Sequence, residues 1–205
     1  MNFLNFIFQI DKYLFEVIQS YGLLTYLFLF IVIFLETGLV ITPFLPGDSL
    51  LFAAGAFASQ NLLNIYLLFF ILALAAILGD TINYSIGYFL GKNAYKIKAI
   101  KKEHLLKTQK FYDKHGGKTI ILARFVPIVR TFAPFVAGVG KMPYKKFISF
   151  NVIGGILWVF LFLFLGFFFG NIPLIKKNFE IAILVIILIS IMPIIIEYAR
   201  NRKKH

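Results

Sequence analysis

The chain has no cysteine, which excludes thiol catalysis, thiolate-ligated zinc, iron–sulfur clusters and disulfides and leaves the redox compartment undetermined. Charge is also scarce: 15% of the 205 residues are Asp, Glu, Lys or Arg, against about 25% in a soluble globular domain. Between Tyr13 and Gly91 there is not one Lys or Arg. No Ser/Gly-rich linker or polar tract separates the apolar stretches, so residues 22–199 read as a single membrane domain. The N-terminus lacks the basic n-region and small-residue cleavage site of a signal peptide and is expected to stay on the protein.

What is present is apolar surface, 60% hydrophobic and 18% aromatic residues, for which a bilayer is the natural solvent. The net charge of +12 raises nucleic acid as a partner, and the distribution of the basic residues argues against it. Nine lysines crowd residues 92–118, three more follow at Lys141, Lys145 and Lys146, and Arg200, Arg202, Lys203 and Lys204 close the chain. Basic clusters flanking apolar spans mark the cytoplasmic side and face anionic headgroups. The partners expected are therefore the bilayer and an anionic lipid headgroup, with no nucleic acid; a homo-oligomer is compatible with this reading.

Residues 1–21 alternate apolar and polar positions at helical spacing, as in an interfacial amphipathic helix. The run from Leu23 needs extension through Ile41 to approach a hydrocarbon core of about 30 Å. Residues 43–59, with Pro43, Pro46, Gly47 and Asp48, are too short to cross and read as a re-entrant segment, tolerated where broken backbone lines a protein-enclosed cavity. Residues 62–90 span and end at Gly91. Residues 92–118 read as a basic amphipathic segment on the membrane surface, ended by Gly116 and Gly117. Residues 119–140, interrupted by Arg124, Pro127, Arg130, Pro134, Gly138 and Gly140, form a second re-entrant segment entering from the cytoplasm. Residues 147–169 cross outward, 179–198 return, and 200–205 form a basic cytoplasmic tail.

The two halves share a plan: a proline-broken segment, an Ala-Gly pair (Ala54-Gly55, Ala137-Gly138), and a spanning helix ending in a small-xxx-small pair (Gly87 with Gly91, Gly166 with Gly170), which favours close helix packing. The fold class expected is all-α, a polytopic membrane protein of two inverted repeats, each a re-entrant segment plus a transmembrane helix. Many secondary transporters use that arrangement to alternate access.

Five ionisable residues fall inside these apolar stretches: Glu36, Asp48, Asp80, Arg124 and Arg130. At about 2.5–3.5 kcal/mol each near mid-bilayer, such charges must be paired, hydrated or protonated. Arg124 and Arg130 lie six positions apart with Pro127 between them, and two guanidiniums on broken backbone form a forked anion site matched to phosphate oxygens. The competing reading is that they cap the segment or snorkel to the interface. Glu36 and Asp48 suit reversible protonation in a low-dielectric cavity; Asp48 equally suits an N-cap of a helix beginning at Ser49. Asp80, beside Thr81, Asn83 and Tyr84, is a third relay group or a structural anchor. His104, His115 and His205 read as solvated, and Trp158 and the phenylalanines as lipid-facing and packing residues.

Glu36, then Pro43-Phe-Leu-Pro46-Gly47-Asp48, Gly79-Asp80 with Tyr84 and Gly87, then Arg124-Phe-x-Pro127-x-x-Arg130 and Trp158 together resemble the DedA family, also called the SNARE-associated or VTT-domain family. The resemblance covers roughly residues 36–170. It implies an integral inner-membrane protein with paired re-entrant segments that moves lipids between leaflets. Bacterial members include translocases of undecaprenyl phosphate and of phosphatidylethanolamine, with dependence on proton motive force. The family's functional acids match Glu36 and Asp48, and its arginines match Arg124 and Arg130.

The expectation is thus a proton-linked lipid flippase of the bacterial inner membrane, multi-pass, with both termini cytoplasmic and with no cofactor or metal. Its variants are an energy-independent scramblase and a non-transporting organiser or ion channel. A membrane enzyme acting on phosphate esters is disfavoured, because no histidine lies in a re-entrant segment to serve with a nucleophile.

Overall fold

The computed structural model describes residues 10–39, 47–91, 102–126 and 129–177. Pro43, Pro46 and Pro127, the lysines of residues 92–101, the return span at 179–198 and the basic tail lie outside them. Every regular element among the described residues is helical: α1 (Ile10–Gly38), α2 (Gly47–Ser59), α3 (Ile65–Leu90), α4 (Lys102–His115), a 3-10 turn (Gly116–Lys118), α5 (Thr119–Ala123), α6 (Val129–Val139), α7 (Tyr144–Gly170) and α8 (Pro173–Lys177).

Two of these, α3 with 26 residues and α7 with 27, are long and apolar enough to cross a bilayer, at about 1.5 Å per residue. They fall where the apolar runs predicted spans. The long helix α1 departs from expectation. It ends at Gly38 instead of running through Ile41, and its length lies on the N-terminal side, continuing without a break across residue 22. Near its end the Thr37 hydroxyl donates back to the Ile33 carbonyl at 3.0 Å.

Helix ends follow local chemistry. Asn64 caps α3, its side-chain oxygen accepting from the Tyr66 and Leu67 amides at 3.0 Å each, which satisfies donors that a helix start leaves orphaned. Gly91 and Gly116 adopt positive φ, +49° and +57°, the left-handed geometry that terminates helices. Asp48 lies in the first turn of α2, one residue inside the helix start at Gly47, and so favours the positive end of the helix without being its cap. Pro134, read from sequence as an interruption, sits inside α6.

The chain forms two compact units. The first comprises Met1–Leu29, Pro46–Phe69 and Leu161–His205; the second comprises Phe30–Leu45 and Phe70–Phe160. In the first unit α2 crosses the C-terminal part of α7 at backbone contact. A Cβ added to Gly55 would overlap the Leu163 carbonyl, and one added to Gly166 would overlap the Phe52 carbonyl. Gly170 extends this seam against Ser59 and Ala56, and Gln60 donates to the Gly170 carbonyl at 3.0 Å.

In the second unit α6 crosses the C-terminal part of α3 in the same manner. A Cβ on Gly138 would overlap the Tyr84 carbonyl, and one on Gly87 the Phe135 carbonyl. Among the described residues nothing lies within 4 Å of the position a Gly91 Cβ would occupy, so Gly91 makes no close contact of the kind Gly87 makes with them. Further along α3, Gly79 lets α1 approach so closely that a Cβ there would meet the Thr37 hydroxyl and lie 2.8 Å from the Phe34 carbonyl. Helix α4 closes this unit, with Phe111 and Tyr112 packed against a core of Ile120, Val129, Ala133 and Phe147. The Tyr112 hydroxyl donates to the Ala133 carbonyl at 3.0 Å.

Candidate functional site

The site lies wholly within the second unit and is assembled from five helix segments. The α1–α3 crossing at Gly38 and Gly79 places the adjacent residues Glu36, Thr37 and Asp80 along one seam. Helix α5 ends at Ala123 and places Arg124 at its C-cap, the amide bonded back to Ile121 and Leu122. Arg130 sits in the first turn of α6. Helix α7 supplies the remaining wall through Trp158.

Arg124 Nη2 donates to Asp80 Oδ2 at 2.5 Å and to Asn151 Oδ1 at 2.6 Å. Arg130 Nη2 donates to Glu36 Oε1. Glu36 is 4% exposed and Asp80 and Arg124 5% each, while the Arg130 side chain keeps 16%, so the three buried charges depend on their partners in place of water. Stripping water from an ion costs several kcal/mol even after relaxation, which makes the pairs costly to break and poor as mere stabilisers. The two guanidiniums also share one aromatic face: their Cζ atoms lie 5.8 and 5.6 Å from the centroid of Trp158, within cation–π range.

Amides and glycines hold this arrangement. Asn83 donates to the backbone carbonyls of Thr37 at 3.0 Å and Thr131 at 2.9 Å, tying α1, α3 and α6 together beside the charges. Asn151 donates to the Ile77 carbonyl at 3.0 Å, so its oxygen is turned toward Arg124. Gly154 and Gly155 leave room for that arginine; a Cβ at Gly154 would lie 3.2 Å from Arg124 Nε. Outside the spans, burial pushes the Tyr112 phenol above its ordinary pKa, and the Asp80 charge adds to the push. The phenol therefore stays protonated as the donor that pins α4 to α6.

Between the pairs is a cavity of about 20 Å3, lined by Glu36, Asp80, Arg124, Arg130, the hydroxyl-bearing Thr37 and Thr131, and Trp158. The site thus gathers four of the five charges singled out from sequence. The fifth, Asp48, belongs to the first unit and does not line this cavity. Arg124 does cap α5, and both guanidiniums are paired with acids. Trp158, read from sequence as a lipid-facing or packing residue, is 1% exposed and lies under both arginines. Asn151 was not anticipated, although a signal was present: Asn151, Gly154, Gly155 and Trp158 follow i, i+3, i+4, i+7 spacing and so form one small-and-polar face on an otherwise apolar helix. No group of three or more His, Cys, Asp or Glu that could hold a metal occurs among the described residues.

Helices of bilayer length with paired charges buried beside them define the class, a helical membrane protein. The VTT-domain family matches residues 45–168. Protein DedA of Escherichia coli K12 is 52% identical over 205 residues, covering 98% of this chain and 94% of that protein. A membrane protein of Mycobacterium leprae is 41% identical, covering 81% and 76%. The inner membrane protein YghB of Escherichia coli K12 is 34% identical, covering 75% and 71%. No solved structure matches the chain. The chain belongs to the DedA family, as its motifs implied.

Proposed function

We propose that this protein is a proton-linked translocase that moves a phosphate-bearing lipid, an undecaprenyl phosphate or a phospholipid such as phosphatidylethanolamine, between leaflets of the bacterial inner membrane. The observation that carries the reading is the convergence of Glu36, Asp80, Arg124 and Arg130 on one small buried cavity. Arginines that only stabilised the fold would be better replaced by apolar residues, because a buried pair rarely repays its desolvation. A pair that exchanges partners gains from being buried, since a phosphate oxygen can replace a carboxylate on the same guanidinium fork.

In this conformation the carboxylates occupy the arginines. A phosphate arriving at Arg124 or Arg130 displaces its acid, and the displaced acid, buried and without its cation, takes up a proton. Lipid binding and protonation are linked in this way without a cofactor or metal. Asp48 is assigned a proton-coupling role within its own unit.

The architecture proposed is the inverted repeat, with residues 43–59 and 119–140 as re-entrant segments and both termini cytoplasmic. What supports it is that each unit repeats one crossing, Phe52 and Gly55 against Leu163 and Gly166 in the first, Phe135 and Gly138 against Tyr84 and Gly87 in the second. The test is a leaflet-accessibility assay in liposomes with fluorescent undecaprenyl phosphate or phosphatidylethanolamine, with and without a pH gradient. Gradient-sensitive movement of one lipid that Arg130→Ala abolishes is the expected result. No movement of either lipid by the intact protein overturns the proposal.

A further inference from the structure

The cavity between the ion pairs, about 20 Å3, has room for one water and not for a phosphate group. Two carboxylates from different helices, Glu36 on α1 and Asp80 on α3, line it together with the Thr37 and Thr131 hydroxyls. That polar lining meets the two to four partners a buried water needs. The charged groups facing it are Glu36 from α1, Asp80 from α3, Arg124 after α5 and Arg130 from α6. Helix α7 contributes the neutral Trp158 and, behind Arg124, Asn151; α4 contributes Tyr112, which feels the Asp80 charge. With both acids ionised the four charges cancel. With one proton present the site carries a single positive charge.

We infer that Glu36 and Asp80 share one exchangeable proton through a single water held in this cavity, so that the site takes up one proton as it binds one negative charge of substrate. In the transfer the Glu36 O–H bond breaks, the water accepts that proton and passes one of its own to the Asp80 carboxylate. One proton moves and nothing is oxidised or reduced. With the proton on Asp80, Arg130 keeps its anionic partner while Arg124 is left with Asn151 and the Trp158 face, ready for an anionic oxygen. With the proton on Glu36 the roles exchange. The shared proton therefore selects which arginine is open, and the protonated site matches a substrate bearing one negative charge. Only this last step rests on the lipid reading above.

The test follows the carboxylic C=O infrared band of the full-length protein in phosphatidylcholine liposomes through a pH titration in H2O and D2O, with no substrate added. Neutralising either acid, Glu36→Gln or Asp80→Asn, moves the titration midpoint of the other by about one pH unit or more, the mark of coupled sites. An unmoved midpoint overturns the shared proton. Thr131→Val keeps all four charges and removes a water partner, which guards against a charge variant that fails to fold. It slows hydrogen–deuterium exchange of the carboxyl severalfold, and exchange at the wild-type rate overturns the water link. Proton uptake measured beside lipid movement separates the two proposals. Coupled midpoints without lipid movement sink the translocase and leave the shared proton standing, whereas lipid movement with independently titrating acids does the reverse.

Discussion

The two units use the same crossing and spend it differently. In the first, α2 lies on α7 through Gly55 and Gly166, and the polar groups beside the seam are neutral: Ser59 donates to the Ala56 carbonyl at 2.7 Å and Gln60 to the Gly170 carbonyl. In the second, α6 lies on α3 through Gly138 and Gly87, and the same unit buries two ion pairs. Close glycine contact is therefore the architectural element, present in both units. The charges are an addition to one of them, placed there by a further glycine contact, Gly38 with Gly79, that brings α1 against α3. The difference teaches that a helix crossing and a functional site are separable in this fold, and it can be tested by damaging each independently.

The largest effect is expected at the charges. Arg124→Ala strands Asp80 in the interior and leaves Asn151 without its donor, a loss of about 3–5 kcal/mol by analogy with other broken buried pairs. Removing both partners, Arg124→Ala with Asp80→Ala, strands no charge and is expected to restore part of that loss. In the first unit, Gln60→Ala removes only neutral hydrogen bonds, at about 0.5–1.5 kcal/mol. Trp158 is the only tryptophan in the chain and lies at the site, so its fluorescence during thermal unfolding in detergent reports these losses directly. If Gln60→Ala costs as much as Arg124→Ala, the distinction between the units collapses.

Next come the crossings themselves. Gly55→Ala and Gly138→Ala each drive a methyl into a facing carbonyl, which only a backbone shift can relieve, and overpacking of that kind costs about 1–3 kcal/mol. The two variants are expected to lose similar stability, and their double mutant to lose the sum, because the glycines lie in separate units. Tolerance of one and not the other in the same unfolding assay would show that the crossings are not equivalent.

Much of this was legible in the sequence for identifiable reasons. Uninterrupted apolar runs fixed α3 and α7, because twenty or so apolar residues have few other fates. The Ala-Gly pairs marked both crossings, since only glycine lets backbones touch. The five charges stood out against an apolar background, and four of them meet. Three features were not legible. Helix α1 extends toward the N-terminus, where mixed polar composition suggested a separate interfacial segment. Trp158 was indistinguishable from packing aromatics until its neighbours in space were known. The pairing of acids with arginines, Glu36 with Arg130 and Asp80 with Arg124, depends on contacts 94 and 44 residues apart, which spacing along one helix does not encode.

The smallest expected effect concerns Gly91 and Gly170, which the sequence presents as equivalent ends of small-xxx-small pairs. Gly170 is pressed against Ser59 and the Ala56 backbone, so Gly170→Ala fails by crowding. Among the described residues nothing lies within 4 Å of a Gly91 Cβ, and its φ is +49°, so Gly91→Ala is expected to fail through the left-handed backbone, about 1 kcal/mol. Asparagine separates the causes, since it tolerates that backbone yet is larger than alanine. Gly91→Asn is therefore expected to be milder than Gly91→Ala, and Gly170→Asn harsher than Gly170→Ala. The same ranking at both positions would mean that one mechanism governs both helix ends and that the difference between the units does not extend to where α3 and α7 stop.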